Sequence, residues 1–132
     1  MTDWSTTMSA ISDSAHGRHE RGSKLLGEVD GAMGREIVES LGDLGRLIVD
    51  FAFGEVYDRP GLSLRDRELI TVAMLAAMGA REAQLDVHLR GALNVGVTLD
   101  ELREVMIHVA PYAGFPSAIN AMRRLQAIDA NT

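Results

Sequence analysis

The stretch GLSLRDRELITVAMLAAMG, residues 61–79, contains the signals that begin, sustain and end one helix. Ser63 has the side-chain oxygen of a helix N-cap, and Gly79 is the residue type that commonly ends a helix. Across residues 69–78 only Thr71 is polar. We therefore expect this helix to be apolar nearly all round and to lie buried at the centre of the fold.

Helical periodicity continues on both sides of this stretch, and the period-two alternation of β-strands is missing. The pattern predicts an all-α fold, a compact bundle of about six helices. Residues 1–13 are rich in Ser, Thr and Asp, and we expect them to form a flexible tail. Residues 14–132 are expected to form a single helical domain.

Turn and cap signals divide the chain further. We predict a first helix over residues 14–28, and a second from about Gly31 that weakens at GDLGR, residues 42–46. The segment YDRPG, residues 57–61, predicts a turn. TLDE, residues 98–101, has the form of a capping box and predicts the start of a helix.

The last two helices are predicted to be amphipathic. The helix that starts at the capping box should end near Ala113, before a last helix that follows PYAGFP, residues 111–116. The predicted core stripe of the helix that starts at the capping box is Leu102, Val105, Met106 and Val109. The last helix is expected to point Phe115, Ile119, Met122 and Leu125 inward.

Composition excludes several classes of function. The formal net charge is -6 and the pI is about 5.1, which argues against general binding to nucleic acids or anionic membranes. No apolar run is long enough for a membrane span and no secretory signal is visible, so we expect a cytoplasmic protein. The chain has no cysteine, which excludes disulfides, thiolate metal sites and thiol redox chemistry.

The segment REAQLDVHLRGALNVGVTLDEL, residues 81–102, places a histidine among the apolar residues of a predicted helix. At 3.6 residues per turn, His88 falls on the same side as Leu85 and Leu89, so we expect it to point inward. An imidazole can donate or accept a proton near neutral pH, which makes His88 a candidate catalytic residue. The alternative is a core histidine that is hydrogen-bonded to Gln84.

Glu68 is predicted to lie on the inward side of the most apolar helix. A buried carboxylate must be paired, hydrogen-bonded or shifted in its pKa. Either Arg65 or Arg67 forms a salt bridge with it at the helix entrance, or Glu68 meets His88 between adjacent helices and shares a proton. In the second case, one of the arginines would bind a substrate carboxylate with its planar fork.

Two further polar sets are weaker candidates. A line with spacing i, i+4, i+8 is formed by Glu104, His108 and Tyr112. It is either the rim of a cleft or an ordinary polar flank. A second set could touch a metal ion and comprises His16, His19 and Glu20. Histidines near a flexible end are more typical of a solvated surface, so we expect no metal site.

Three stretches together resemble the carboxymuconolactone decarboxylase family. They are RHERGSKLLGEV (residues 18–29), DFAFGEVYDRPGLSLRDRELITVAMLAAMGA (residues 50–80) and QLDVHLRGALNVGVTLDELREVMIHVAPYAGFPSAINAMRRL (residues 84–125). The combination of the RxREL, HxxGALNxG and YAGFP patterns carries the resemblance. It implies an alkyl hydroperoxidase D-like helical fold, assembled into trimers or hexamers.

The resemblance also implies a reaction of aromatic catabolism. A small-molecule substrate, 4-carboxymuconolactone, would lose CO2 and give the enol-lactone of 3-oxoadipate, with no metal or organic cofactor. His88 would be the proton donor, or the hydrogen-bond donor to the dienolate oxygen, and Glu68 would orient or reprotonate it. Arg65 or Arg67 would hold a carboxylate of the diacid. Tyr112 and His108 would be additional substrate-binding candidates.

Other functions remain open within the resemblance. A related branch of the superfamily reduces peroxides with a CxxC pair, but GAREAQLDVH, residues 79–88, has no cysteine. The chain could act on another small carboxylate or lactone as an isomerase, a cyclase or an enzyme of secondary metabolism. It could also be a non-catalytic oligomeric binding protein with His88 satisfied in its core.

Overall fold

The computed structural model describes the backbone of residues 4–131 and the side chains of residues 14–131. These residues form six α-helices and one π-helix, and residues 4–131 contain no strand, which confirms the all-α prediction. The elements are α1 (Trp4–Ser40), α2 (Asp43–Leu47), the π-helix (Ile48–Tyr57), α3 (Leu64–Met78), α4 (Glu82–Asn94), α5 (Leu99–Ala113) and α6 (Phe115–Ala130). No helix in the described part of the chain is long and apolar enough to cross a membrane.

The chain divides into two compact units, Met1–Gly61 and Leu62–Thr132. The first holds α1, α2 and the π-helix, and the second holds α3 to α6. Part of the predicted flexible tail, residues 1–3, lies outside the described residues. The flexibility of residues 1–13 and the single domain over residues 14–132 stay predictions.

In the first unit, the long helix α1 is broken at Gly31. This residue has φ 60° and ψ -148°, a backbone conformation that side chains other than that of glycine rarely adopt. The break agrees with the predicted start of a second helix there, but the first helix begins earlier than expected, at Trp4. The π-helix packs closely on α1, since a Cβ on Gly22 would lie 2.1 Å from the carbonyl oxygen of Val49.

In the second unit, two predicted caps are confirmed. The Ser63 side chain accepts a hydrogen bond from the Asp66 amide at 3.0 Å, and α3 ends at Gly79. Thr98 and Glu101 form the reciprocal capping box that begins α5. Four helices surround a core whose most buried members include Val72, Leu89, Leu102, Met106 and Leu125.

The predicted inward stripe of α6 is wrong for its larger side chains. Phe115 and Ile119 are exposed, Met122 is half-buried and Leu125 is buried. The buried face of α6 is Ala118, Ala121, Leu125 and Ile128. Small alanine side chains allow helix axes to approach closely, so the packing turns alanines toward the core and bulkier residues outward.

The expectation that α3 is a buried helix is wrong for one of its faces. The helix buries Glu68, Val72 and Ala76. Within this chain, α4, α5 and α6 pack on α3, and they leave a second apolar face uncovered. That face carries the exposed side chains of Ile70, Met74 and Met78.

Candidate functional site

Two of the candidate site residues, Glu68 on α3 and His88 on α4, lie in contact. His88 Nδ1 is 3.0 Å from Glu68 Oε2 and 3.2 Å from Glu68 Oε1. The Glu68 side chain is 0% exposed and that of His88 is 23% exposed. The pair therefore joins a fully buried carboxylate to a ring that solvent or a small molecule can reach.

The positions of both residues follow from the helical repeat. Glu68 precedes Val72 by one turn on the buried face of α3, and His88 is adjacent to Leu89, which is fully buried on α4. Since α3 packs directly on α4, the buried carboxylate faces the ring. A contact of this kind offsets the desolvation of Glu68, which would otherwise oppose folding.

The pair has a defined chemical capability. When Nδ1–H donates to the Glu68 carboxylate, the neutral ring carries its acceptor on Nε2. When the ring is protonated, the carboxylate stabilises the imidazolium and Nε2–H becomes a donor. The arrangement can therefore deliver or accept one proton, or donate a hydrogen bond to an oxyanion, at a fixed place.

The two candidate arginines differ in their surroundings. Arg65 forms an ion pair with Glu101 of α5 and a longer contact, 3.4 Å, with Asp66. The ion pair with Glu101 raises the pKa of Arg65. The pKa of Glu101 is lowered, first by Arg65 and then by the hydrogen bond from the Thr98 amide. Arg67 is half-buried, with its Nε enclosed by protein.

His108 and Tyr112 lie in a separate groove between α3 and α5. Their rings stack with centroids 5.6 Å apart, and the groove has a volume of about 600 Å³. The groove is lined by Leu69, Ile70, Ala73, Ala77, Glu101, Glu104, Val105, His108, Val109 and Tyr112. Neither Glu68 nor His88 belongs to this lining. The structure thus separates the Glu68–His88 pair from the mostly apolar groove that His108 and Tyr112 line.

Sequence reasoning missed three interhelical ion pairs in this unit, one of which joins Arg103 of α5 to Asp129 of α6. Glu101 was assigned only to the capping box, yet its second oxygen binds Arg65. Asp86 of α4 receives two hydrogen bonds from the Arg124 guanidinium of α6. The partners in the three pairs are 36, 26 and 38 positions apart in the chain, so no local spacing signals them.

The weak metal candidate near the N-terminus makes other contacts. His16 pairs with Glu20 at 3.0 Å, while His19 pairs with Asp50 of the π-helix at 2.5 Å. Within the described residues, no three or more side chains of the metal-binding types converge on one point. The three residues, His16, His19 and Glu20, thus enter two separate pairs.

Comparison with known proteins places this geometry in context. Residues 42–127 match the model of the Carboxymuconolactone decarboxylase family. The chain is 40% identical over 116 residues to the 4-carboxymuconolactone decarboxylase of Acinetobacter baylyi, covering 84% of this chain and 86% of that protein. It is 45% identical over 76 residues to the nitrosuccinic acid decarboxylase of Metarhizium robertsii, covering 58% and 52%. An uncharacterised 15.0 kDa protein of Paracoccus denitrificans is 30% identical over 82 residues, covering 61% of each chain.

Proposed function

This chain belongs to the carboxymuconolactone decarboxylase family, and we propose that it removes CO2 from a small carboxylic acid by acid/base chemistry, without a cofactor. The observation that carries the proposal is the fully buried Glu68 carboxylate against the partly exposed His88 ring. The names of two relatives, both decarboxylases, support the class of reaction. We propose 4-carboxymuconolactone as the first substrate to test.

The two named substrates share one chemical feature. In nitrosuccinic acid, a nitro group adjoins a carboxylate, and in 4-carboxymuconolactone a conjugated lactone can accept electrons. In each case the electron pair left by CO2 can move onto oxygen atoms. Decarboxylation then requires that the site stabilise an oxyanion and afterwards supply a proton to carbon.

We assign both tasks to the His88 ring. As the carbon–carbon bond to the carboxylate breaks, CO2 leaves and the electron pair delocalises onto the carbonyl oxygen of the lactone. An N–H of the His88 imidazole donates a hydrogen bond to that oxygen. The carbon next to the lactone carbonyl then takes one proton from the imidazolium, so that the ring double bond ends at the carbon that lost CO2 and the enol-lactone forms. Glu68 holds the ring through Nδ1 and stabilises its positive charge, and the ring regains its proton from solvent.

The arginines would bind the remaining charge of the substrate. Arg65 already pairs with Glu101, so a substrate carboxylate would have to compete with that carboxylate. We therefore compare Arg65→Gln with Arg67→Gln. The substitution of the arginine that binds the substrate carboxylate should raise KM more than it lowers kcat. Tyr112→Phe and His108→Gln test whether the groove between α3 and α5 contributes to substrate binding in the same way.

The direct test incubates the full chain with 4-carboxymuconolactone, and separately with nitrosuccinate, and measures CO2 release. The expected result is turnover of one of them by wild type and a loss in kcat of about 10²–10⁴-fold in His88→Gln, the usual contribution of a general acid or base. In D2O, the enol-lactone should carry one deuterium at the carbon next to the lactone carbonyl, and the product of nitrosuccinate one deuterium at the carbon that lost CO2. Glu68→Gln should also lower kcat, since the ring loses its charged partner.

A matched control is His16→Gln, because the His16 side chain is 76% exposed and also contacts a glutamate. Circular dichroism must show that every variant is folded. Full activity in a folded His88→Gln variant contradicts the assigned role. No turnover of either acid by wild type contradicts these substrates, and would favour another small carboxylate or lactone, or a binding protein.

We also propose that the chain self-associates, as trimers or hexamers. The uncovered face of α3, formed by Ile70, Met74 and Met78, supports this, since exposed apolar side chains that adjoin one another mark interaction surfaces. Sedimentation at micromolar concentration should give a species larger than one chain of 14.3 kDa. Ile70→Lys should shift it toward the monomer, and a monomeric wild type contradicts the proposal.

A further inference from the structure

The first unit contains a cavity, with both charged and apolar residues in its lining, that the proposed reaction does not use. Its volume is about 290 Å³, close to the lower limit of about 300 Å³ for small-molecule sites. Residues from both arms of α1, from α2 and from the π-helix line it: His19, Ser23, Leu26, Arg35, Val38, Glu39, Gly42, Gly45, Arg46 and Val49. A compact ligand would fit such a space.

The break in α1 creates this cavity. His19 and Ser23 come from the arm before Gly31, while Arg35 and Glu39 come from the arm after it. In a continuous helix, these side chains would be spread along a single straight axis. The positive φ of Gly31 is therefore the local feature that lets both arms line one space.

The charges around the cavity favour an anion. Among the ten lining residues there are two guanidinium groups, Arg35 and Arg46, against one carboxylate, Glu39. Asp50 holds Nδ1 of His19 at 2.5 Å, which fixes the ring in the wall of the cavity. The contacts of Arg46 to the acidic side chains of Asp43 and Asp50 are long, at 3.7 Å and 3.6 Å, and leave it able to bind a ligand.

Arg35 is the cation best placed to hold an anion. Among the described side chains of residues 14–131, it makes no hydrogen bond or ion pair. Its guanidinium rests on the backbone of Gly27, where an added Cβ would lie 2.1 Å from one of its terminal nitrogens. A planar guanidinium can donate two parallel hydrogen bonds to two oxygens of a carboxylate or phosphate, so Arg35 is suited to binding such a group.

We propose that this cavity binds a small molecule bearing an anionic oxygen group, either a carboxylate or a phosphate, between Arg35 and Arg46. Ser23 and His19 supply further hydrogen-bonding groups to the same cavity. The site consists entirely of residues of the first unit and shares none with the proton-transfer pair. It is therefore a second ligand site, independent of the proposed reaction.

The test is isothermal titration calorimetry of the full chain with inorganic phosphate and, separately, with succinate. We expect wild type to bind at least one probe. Whether phosphate or succinate binds shows which anionic group the cavity prefers. Arg35→Gln should weaken binding about tenfold or more, because a charge-assisted hydrogen bond is lost. Gly27→Ala should also weaken it, since the new methyl group displaces the guanidinium without changing any charge.

The controls are Arg90→Gln, which removes an exposed arginine of α4, and His88→Gln, which alters the proton-transfer pair. Both should bind the probe as wild type does. The proposal is overturned if neither probe binds wild type, if folded Arg35→Gln and Gly27→Ala bind it as tightly as wild type, or if His88→Gln abolishes binding.

Discussion

Burial should make the contact between Glu68 and His88 much stronger than an exposed contact of the same length. The chain provides the comparison itself, since His16 Nε2 lies 3.0 Å from Glu20 Oε1, and His88 Nδ1 lies 3.0 Å from Glu68 Oε2. The exposed fractions of the paired side chains are 76% and 68% in the first pair, but 23% and 0% in the second. Solvent screening is thus the main difference between them.

A double-mutant cycle measures each contact. For Glu68→Gln and His88→Gln we expect a coupling of about 1.5–3 kcal/mol in the free energy of unfolding, typical of hydrogen bonds to charged groups. For His16→Gln and Glu20→Gln we expect at most about 0.5 kcal/mol, typical of exposed i,i+4 pairs. The cycle cancels the effects that each glutamine has on its own surroundings.

The assay is urea unfolding at pH 7, followed by far-ultraviolet circular dichroism at one fixed protein concentration, because self-association would add to stability. The m-value should be the same in all variants. If the two coupling energies agree within about 0.5 kcal/mol, the usual error of additivity, burial does not govern the contact and the reasoning is refuted.

Three further outcomes follow from single residues. Gly22→Ala should lower the free energy of unfolding by about 1–3 kcal/mol, because the new Cβ would meet a backbone carbonyl. Gly61→Ala should change that free energy by less than about 0.5 kcal/mol, because nothing lies within 4 Å of the new Cβ. Equal urea midpoints for the two variants would contradict this. Thr98→Ala should cost about 1 kcal/mol in a thermal melt, since α5 loses its cap, and an unchanged melt would show that the capping box contributes nothing. The pKa of Glu101 is lowered, mainly by Arg65. The stabilisation that the ionised Glu101 gives to the fold is therefore complete above the ordinary glutamate pKa of about 4.3, and it is lost as the pH falls through the lowered pKa. Glu101→Gln should therefore lose less stability than wild type on acidification below about pH 4.3, and parallel acid unfolding curves would argue against this.

Short-range signals in the sequence predicted the second unit well. Ser63, Gly79 and the capping box of Thr98 and Glu101 mark helix ends where the structure has them. Each of these signals acts between residues at most four positions apart, so the neighbouring sequence is sufficient to specify it.

The inward direction of His88 and Glu68 was predicted from the helical repeat, and their contact was one of two alternatives left open. The other was a salt bridge from Glu68 to Arg65 or Arg67 at the helix entrance, and of these two arginines Arg65 pairs instead with Glu101 of α5. Which partner a charged side chain takes depends on which helix lies beside it. That choice follows from the packing of all four helices.

The sequence by itself determined that this chain is helical, where the helices of the second unit begin and end, and which family it belongs to. Only the tertiary structure decided that Phe115 is exposed while Ala118 is buried, and that Arg35 and His19 line one cavity. The reason is the range of the forces involved. Caps and helical repeats act within a turn or two, whereas packing and ion pairing join residues that only the folded chain brings together.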